Sequence, residues 1–209
     1  MLYTRPLAAI LISIPLLLSG CSSTAPIDSP EQATVVDNKT TPAKPAAANV
    51  NPAAAAAYQQ ALAAVKQGNN TQATRLLTDM MKDYPKLSGP PTNLGLIYFR
   101  AGDLDRAEAS FQKALSLNSG NAVAHQHMGI IYRHQGKFAQ SEQAYLAAIK
   151  SQPDYANAHL NMAILYDIYL IKLNNALRHY EKYQSLQATE DNTVKKWIIG
   201  LKRRLKVSK

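Results

Sequence analysis

The chain has 209 residues, a net charge of +9 and a single cysteine. This length suits one domain with tails, and a single cysteine excludes an internal disulfide framework. Because basic residues outnumber acidic ones, nucleic acid and anionic lipid are both candidate partners. Much of it lies near the carboxyl terminus, at Lys195, Lys196, Lys202, Arg203, Arg204, Lys206 and Lys209.

Residues 1–20 are typical of a secretory signal peptide. Arg5 supplies a weakly positive n-region. An apolar run over residues 7–18 follows, and Pro15 interrupts it. The run is too short to span a bilayer comfortably as a helix of the mature protein. The sequence therefore predicts a secreted protein.

The signal ends in Leu-Ser-Gly-Cys at residues 18–21, which resembles the bacterial lipobox. The resemblance implies cleavage before Cys21, a diacylglycerol on its sulfur and acylation of the new amino terminus. Several acyl chains anchor a protein stably where one chain is marginal. An Asp in the place of Ser22 favours inner-membrane retention in Gram-negative lipoproteins, so the resemblance implies the outer membrane, with the domain in the periplasm. The alternative is an ordinary signal peptide in which Cys21 is incidental.

Residues 21–52 form a predicted disordered tether after the lipidated cysteine. Prolines recur in it amid Ser, Thr and Ala, with few large apolar residues. Such a segment cannot bury enough surface to offset the entropy of ordering. About 30 residues have a root-mean-square reach on the order of 30 Å and a fully extended reach of about 100 Å. The alternative is a segment that folds on a partner.

A period of 34 residues organises the chain from about Ala54 to Tyr183. A fixed period of this length indicates stacked helix-turn-helix units. The positions that recur at this interval include Gly68, Gly102 and Gly136, then Tyr98, Tyr132 and Tyr166, then Gly95, Gly129 and Ala163.

The second unit shows the physical logic of the repeat. Gly95 and Tyr98 share one stripe of a first helix, and Gly102 ends that helix because a left-handed turn position favours glycine. Asp103 can cap the second helix. The apolar face of the second helix follows at spacings of four and three residues, at Ala107, Phe111 and Ala114.

These motifs resemble the tetratricopeptide repeat (TPR) family. The matching residues are Leu-Gly-x-x-Tyr at 94–98, Met-Gly-x-x-Tyr at 128–132, Ala-x-x-x-Phe-x-x-Ala at 107–114 and the proline at 153. The resemblance implies an all-α, right-handed superhelix of about four repeats over residues 53–187. The repeat boundaries are expected at about 54–87, 88–121, 122–155 and 156–187.

The fourth repeat departs from the pattern. It lacks the turn glycine and carries one extra residue before Ala176, so we expect its inter-helix turn near Leu173-Asn174-Asn175. Residues 188–209 then form a basic capping segment, with a helix over about 193–206. We expect Trp197 and Leu201 to cover the last apolar surface, which a repeat array requires.

The first helix of each TPR lines the concave face, so the resemblance implies a partner-binding groove there. The implied groove residues are Asn93, Phe99, Arg100, Gln126, His127, Arg133, His134, Asn157 and Asn161. Asn93, His127 and Asn161 form a row that can hydrogen-bond the backbone of an extended peptide. Arg100 and Arg133 could pair with its carboxylates. The alternative is a solvated helix face without a ligand.

The sequence offers no catalytic constellation. It has no glycine-rich phosphate loop, no Ser-His-Asp order and no paired carboxylates in a plausible cleft. His125 and His127 point to different sides of a helix, so we expect no metal site. The recurring tyrosines fall at packing positions. We therefore expect no cofactor and no enzymatic activity.

The expected function is that of a non-enzymatic adaptor anchored in the outer membrane. The array resembles TPR lipoproteins such as the pilotins of type IV pilus secretins, which help to assemble envelope machines. Alternatives are an adaptor for peptidoglycan-modifying enzymes, one for a TonB/Tol-like proton-driven complex, or an enzyme with a concealed site. The basic capping helix could be a solvated face or could contact anionic lipid or peptidoglycan carboxylates. The secretion signal argues against nucleic acid.

Overall fold

Helices and short turns build the whole of the described part of the chain, residues 51–207 of a computed structural model. In chain order the α-helices are α1 (Pro52–Lys66), α2 (Asn70–Asp83), α3 (Gly89–Arg100), α4 (Leu104–Leu117), α5 (Ala122–His134), α6 (Phe138–Ser151), α7 (Ala156–Ile164), α8 (Leu173–Ser185) and α9 (Asn192–Val207). A π-helix (Leu165–Tyr169) continues α7. The predicted signal peptide, Cys21 and nearly all of the tether lie outside the described residues. No helix within residues 51–207 is long and apolar enough to cross a bilayer.

The first eight helices form four hairpins: α1 with α2, α3 with α4, α5 with α6, and α7 with α8. The first three hairpins turn at Gly68, Gly102 and Gly136, whose φ angles are 72°, 76° and 72°. This left-handed conformation carries little penalty for glycine. Asn69 and Asp103 cap the following helices, each accepting from the backbone N–H three residues on, at 3.1 and 3.0 Å. The prediction of glycine-terminated helix pairs is confirmed.

The core consists of three apolar clusters rather than one. One cluster joins the first hairpin to α3, the second joins α3 and α4 to the third hairpin, and the third joins that hairpin to the fourth and to α9. Each cluster therefore lies between neighbouring hairpins. This is the arrangement expected when each unit buries its apolar face on the next.

Two glycines allow the helices of a hairpin to approach closely. A β-carbon at Gly95 would lie 2.6 Å from Cε1 of Phe111, and one at Gly129 would lie closer still to the ring of Tyr145. Both rings are fully buried. A methyl group at either glycine would therefore displace an aromatic ring that fills the hairpin.

The fourth hairpin takes up its extra residue in a different place from the one predicted. The π-helix absorbs it, with the N–H of Leu170 donating to the carbonyl of Leu165 at 3.0 Å. The turn then lies at residues 170–172, and α8 already begins at Leu173. Ile171 occupies the left-handed position, at φ 53°, that glycine holds in the other hairpins. The prediction of a turn near Leu173-Asn174-Asn175 was therefore wrong. The extra residue is taken up by the π-helix at the end of the hairpin's first helix, and not at the start of its second helix.

The last helix, α9, covers the end of the array. Val194 and Leu201 are each 1% exposed and lie in the third apolar cluster. Asp191 caps α9, accepting from the N–H groups of the second and third following residues at 2.9 and 3.1 Å. Trp197 packs on the ring of Tyr180 with centroids 5.7 Å apart, but 41% of its surface stays exposed. Leu201 therefore fills the predicted capping role, and its deeper companion is Val194 instead of Trp197.

Candidate functional site

The candidate site is the inner surface of the array, formed by the first helix of each hairpin. α3 packs against α5 and α5 against α7, whereas within residues 51–207 no two second helices approach each other as closely. The helices that lie closer together are those on the inside of a curve. All of the predicted groove residues lie on α3, α5 and α7.

Asn93, His127 and Asn161 occupy equivalent places in the second, third and fourth hairpins. In each case a side-chain N–H donates to the carbonyl four residues earlier in its own helix, at 3.2, 2.9 and 3.0 Å respectively. Because a carbonyl only accepts, these bonds fix the orientation of the amides and the tautomer of the imidazole. Each side chain keeps an acceptor, Oδ1 or Nε2, that its own helix does not use. One N–H of each side chain is already used within the helix, and Asn161 keeps a second amide N–H.

Asn93 is the most deeply buried member of the row, with 1% of its surface exposed. Its Nδ2 also donates to the hydroxyl oxygen of Tyr58 at 2.6 Å. Gly89 makes room for that ring, since a β-carbon there would lie 2.6 Å from the hydroxyl oxygen. Oδ1 of Asn93 has no hydrogen-bond partner among the described residues. An unpaired buried acceptor costs about 1–3 kcal/mol, and a partner N–H that reached it would remove that penalty.

His127 lies between two phenylalanine rings. Phe111 stacks on it at 5.2 Å with an interplanar angle of 24°, and Phe99 meets it edge-on at 5.2 Å. Burial lowers the pKa of His127 to about 4, with a smaller contribution from the cation of Arg100. The imidazole is therefore neutral near pH 7, and its Nε2 acts as an acceptor there.

The predicted groove residues divide into a buried floor and an accessible rim. The buried ones are Asn93, Gln126, His127, Arg133 and Asn161, whereas Phe99 and Asn157 are half-buried and Arg100 and His134 are exposed. The expectation that all nine side chains face a ligand needs correction, because the first helices pack on neighbours at both sides and enclose much of their own surface.

Two of the buried floor residues are engaged with neighbouring hairpins or turns. Gln126 is fully buried, and its Oε1 accepts from the hydroxyl of Tyr155 at 3.3 Å. The guanidinium of Arg133 lies over the ring of Tyr169, 5.6 Å from its centroid. Arg133 is therefore held against the end of the π-helix, which leaves Arg100 as the exposed arginine among the predicted groove residues.

Comparison with known proteins identifies the repeat. Tetratricopeptide-repeat sequence profiles match residues 98–165 and 55–86. Residues 55–86 and 98–165 are therefore tetratricopeptide repeats in sequence as well as in fold. No curated protein is significantly similar to it in sequence.

Solved TPR-type structures share the fold at low sequence identity. PilF of Pseudomonas aeruginosa is 20% identical, with a TM-score of 0.64 over 74% of this chain and 70% of that one. MamA of Desulfovibrio magneticus RS-1 is 18% identical, with a TM-score of 0.62 over 75% and 87%. The first TPR domain of Spaghetti (RPAP3), bound to the HSP90 peptide SRMEEVD, is 21% identical, with a TM-score of 0.52 over 56% and 92%. These likenesses support the TPR superhelix that the sequence predicted.

The TPR period also explains two histidines that sequence reasoning weighed only as metal ligands or not at all. His125 and His159 lie 34 residues apart, and the Nε2 of each donates to a carbonyl of the preceding loop, at Ser119 and Pro153, over 2.8 and 3.0 Å. Those two carbonyls are also 34 residues apart. Each histidine therefore holds the preceding loop to its own helix. The 34-residue spacing of the two histidines is the sequence signal from which this role could have been predicted.

A histidine pair in the fourth TPR carried no sequence signal. Because Nε2 of His159 donates to Pro153, its Nδ1 must accept, and the Nδ1 of His179 donates to it at 3.0 Å. Burial, together with the neighbouring His159, lowers the pKa of His179 to about 4. Burial also lowers the pKa of His159. Residues 51–207 contain no group of three side chains suited to hold a metal ion.

Proposed function

We propose that the protein is a non-enzymatic adaptor whose TPR array holds an extended segment of another protein against its inner surface. The observation that carries this proposal is the row of Asn93, His127 and Asn161. In each of the last three repeats the row has one acceptor that its own helix does not use, while one N–H of each side chain is bonded within the helix. An extended peptide offers backbone N–H groups at regular intervals, and such groups match a row of acceptors.

The rim of this surface favours a segment with some acidic and apolar side chains. Arg100 is exposed on α3 beside the half-buried Phe99. A guanidinium binds carboxylates in a bidentate fashion, and an aromatic ring offers a flat apolar contact. The peptide-bound TPR domain of Spaghetti shares the fold, which supports a peptide as the ligand class.

The location of this adaptor is part of the same proposal. Lipidation at Cys21 would anchor it in the outer membrane, and the tether would let the array range through the periplasm. The fold shared with PilF and the resemblance to pilotins favour a role in assembling an envelope machine such as a type IV pilus secretin. There are two alternative roles: an adaptor that recruits peptidoglycan-modifying enzymes, and an adaptor for a TonB/Tol-like proton-driven complex.

Two variants, each of which adds negative charge to a different surface, test the inner surface. In one variant Arg100→Glu is combined with His134→Glu, both on the exposed rim. The control combines Lys113→Glu with Lys150→Glu, which are exposed on the second helices α4 and α6. Partners recovered from envelope extracts after crosslinking should be lost, by about tenfold or more, from the rim variant and kept by the control. Equal recovery by both variants would remove the inner surface from the proposal.

Localisation needs a separate experiment. Cys21→Ala should release the protein from the outer-membrane fraction or leave it unprocessed, because the sulfur that would carry the diacylglycerol is gone. Partner capture in extracts should not change, since Cys21 lies outside the TPR array. Unaltered outer-membrane fractionation of the variant would refute the anchor and leave the binding surface in place.

A further inference from the structure

The charge of the protein is concentrated in one helix. α9 carries six lysines and arginines and no acidic residue, whereas residues 51–191 carry thirteen basic and eleven acidic side chains. Two thirds of the net charge of +9 therefore lies on a helix of 16 residues. Covering the end of the array requires only the apolar face of α9, so capping does not account for this charge.

Ion pairs account for half of the cations of α9. Lys195 pairs with Glu190 at 2.8 Å, Lys202 pairs with Glu181 at 2.7 Å, and Arg204 pairs with Asp167. The remaining three, Lys196, Arg203 and Lys206, have no acidic partner among the described residues.

These three cations share one face with an exposed isoleucine. Lys196, Ile199, Arg203 and Lys206 are spaced by three, four and three residues, which places them in one line along the helix. We call this line the basic stripe. Ile199 is 43% exposed within it, and Val207, at the end of α9, is 88% exposed. The stripe thus combines cations with aliphatic side chains on the side of α9 opposite to Val194 and Leu201.

We propose that the basic stripe of α9 lies on an anionic lipid surface. Its cations would contact lipid phosphates, and Ile199 would reach the boundary between headgroups and acyl chains. Basic helices with exposed apolar residues bind such interfaces through electrostatic attraction together with burial of apolar area. A straight helical face also matches a flat surface. This inference depends on the proposed lipid anchor for one thing only, which is to keep α9 within reach of a bilayer.

Other polyanions fit the stripe less well. A nucleic acid or a carboxylate-rich glycan would pair with the cations but would leave Ile199 and Val207 exposed to water. Anionic lipid satisfies both parts of the stripe, since it offers phosphate and hydrocarbon in adjacent layers.

The test places a reporter beside the stripe in the full-length protein. Gly200 follows Ile199. Apart from its chain neighbours and the backbone of α9, no atom lies within 4 Å of a β-carbon built there, so we place a genetically encoded, environment-sensitive fluorescent amino acid at this position. The protein is reconstituted with vesicles of pure phosphatidylcholine, or of three parts phosphatidylcholine to one part phosphatidylglycerol. We expect a blue shift and protection from iodide quenching only with phosphatidylglycerol. At about 1 M salt, where the Debye length falls to about 3 Å, both effects should disappear.

Two variants with the same change in net charge show whether lipid binding depends on the basic stripe or only on the net charge of the protein. One variant carries Lys196→Glu, Arg203→Glu and Lys206→Glu. The control carries the same reversals at Lys86, Lys113 and Lys150, which are exposed and lie outside α9. The stripe variant should lose the phosphatidylglycerol-dependent shift, and the control should keep it.

Three results would overturn the inference. They are identical spectra in both kinds of vesicle, an equal loss in both charge variants, or a shift produced by duplex DNA or peptidoglycan fragments but not by lipid. Partner capture by the inner surface, measured on the stripe variant, should be unchanged. Failure of the lipid contact and failure of the adaptor function are therefore distinguishable.

Discussion

The third and fourth TPRs have the same architecture and reach it through different turns. In the third, Gly136 adopts φ 72° and the chain passes directly from α5 to α6. In the fourth, a π-helix and Ile171 at φ 53° replace the glycine turn. Tyr166 nevertheless occupies the place equivalent to the half-buried Tyr132 and is itself buried, and Ala176 and Tyr180 lie in the core. The comparison teaches that the packed positions determine the register and that the turn adapts to them.

The irregular turn is supported by contacts around it. The hydroxyl of Tyr166 donates to Glu142 at 2.8 Å, and Lys172 donates to the same carboxylate at 2.9 Å. Arg204 of α9 pairs with Asp167 of the π-helix. Strained backbone persists where its surroundings over-determine it. The carboxylates of Glu142 and Asp167 provide that support here.

Acidification should have the largest effect on both repeats, because each holds a histidine in the neutral form. The pKa values of His127 and His179 fall from 6.5 to about 4. Between about pH 4 and pH 6.5 these histidines are protonated in the unfolded chain but neutral in the folded protein. The free energy of unfolding is therefore highest above about pH 6.5 and falls toward pH 4. For the fully buried His127 the decline amounts to about 3 kcal/mol. Urea unfolding at pH 7, 6, 5 and 4 would measure it.

The share of each repeat in this pH dependence can be separated by one substitution. His127→Asn removes a titrating group and can keep the bond to the carbonyl four residues earlier, as Asn93 and Asn161 do in their repeats. The slope of stability against pH should flatten but not vanish, since His179 still titrates. An unaltered slope would show that His127 is not buried in the neutral form.

Filling the space beside Gly129 in the third repeat should have the next largest effect on stability. Gly129→Ala would push a methyl group into the ring of Tyr145, and overpacking of this kind costs about 1–3 kcal/mol. Gly200→Ala is the matched control, because it lies in a helix with open space around it and should gain about 0.5–1 kcal/mol. Thermal unfolding of both variants tests the difference. Similar unfolding temperatures would argue against the close approach of α5 and α6.

Exchanging turn residues between the repeats should have the smallest effect. Ile171→Gly relieves a left-handed β-branched residue, so we expect a gain of about 1 kcal/mol after the extra entropy of the unfolded chain is counted. Gly136→Ala imposes the converse strain and should lose about as much. Denaturant titration of the two variants gives the comparison. A loss on Ile171→Gly would mean that the isoleucine side chain contributes more than its backbone costs.

The period of 34 predicted most of the fold, and the reason is physical. Gly102, Tyr98 and Phe111 have identical counterparts or close equivalents one period away because each repeat meets the same packing problem. The register of the fourth turn was not predictable, since an extra residue can be absorbed at several places. The site was predicted only in part. Position in the repeat identified Asn93 and His127 as inner-surface residues, but their burial depends on neighbours that lie a repeat away in sequence.

Photo-crosslinking in cells tests most directly the claim that the inner surface binds another protein. A photoreactive amino acid is placed at Arg100 or His134 on the inner helices, and at Lys113 or Lys150 on the outer helices. We expect one discrete adduct, of the same partner, from both inner positions and none from the outer ones. Adducts that form equally from the outer positions, or none from any position in cells that contain the whole envelope, would contradict the account.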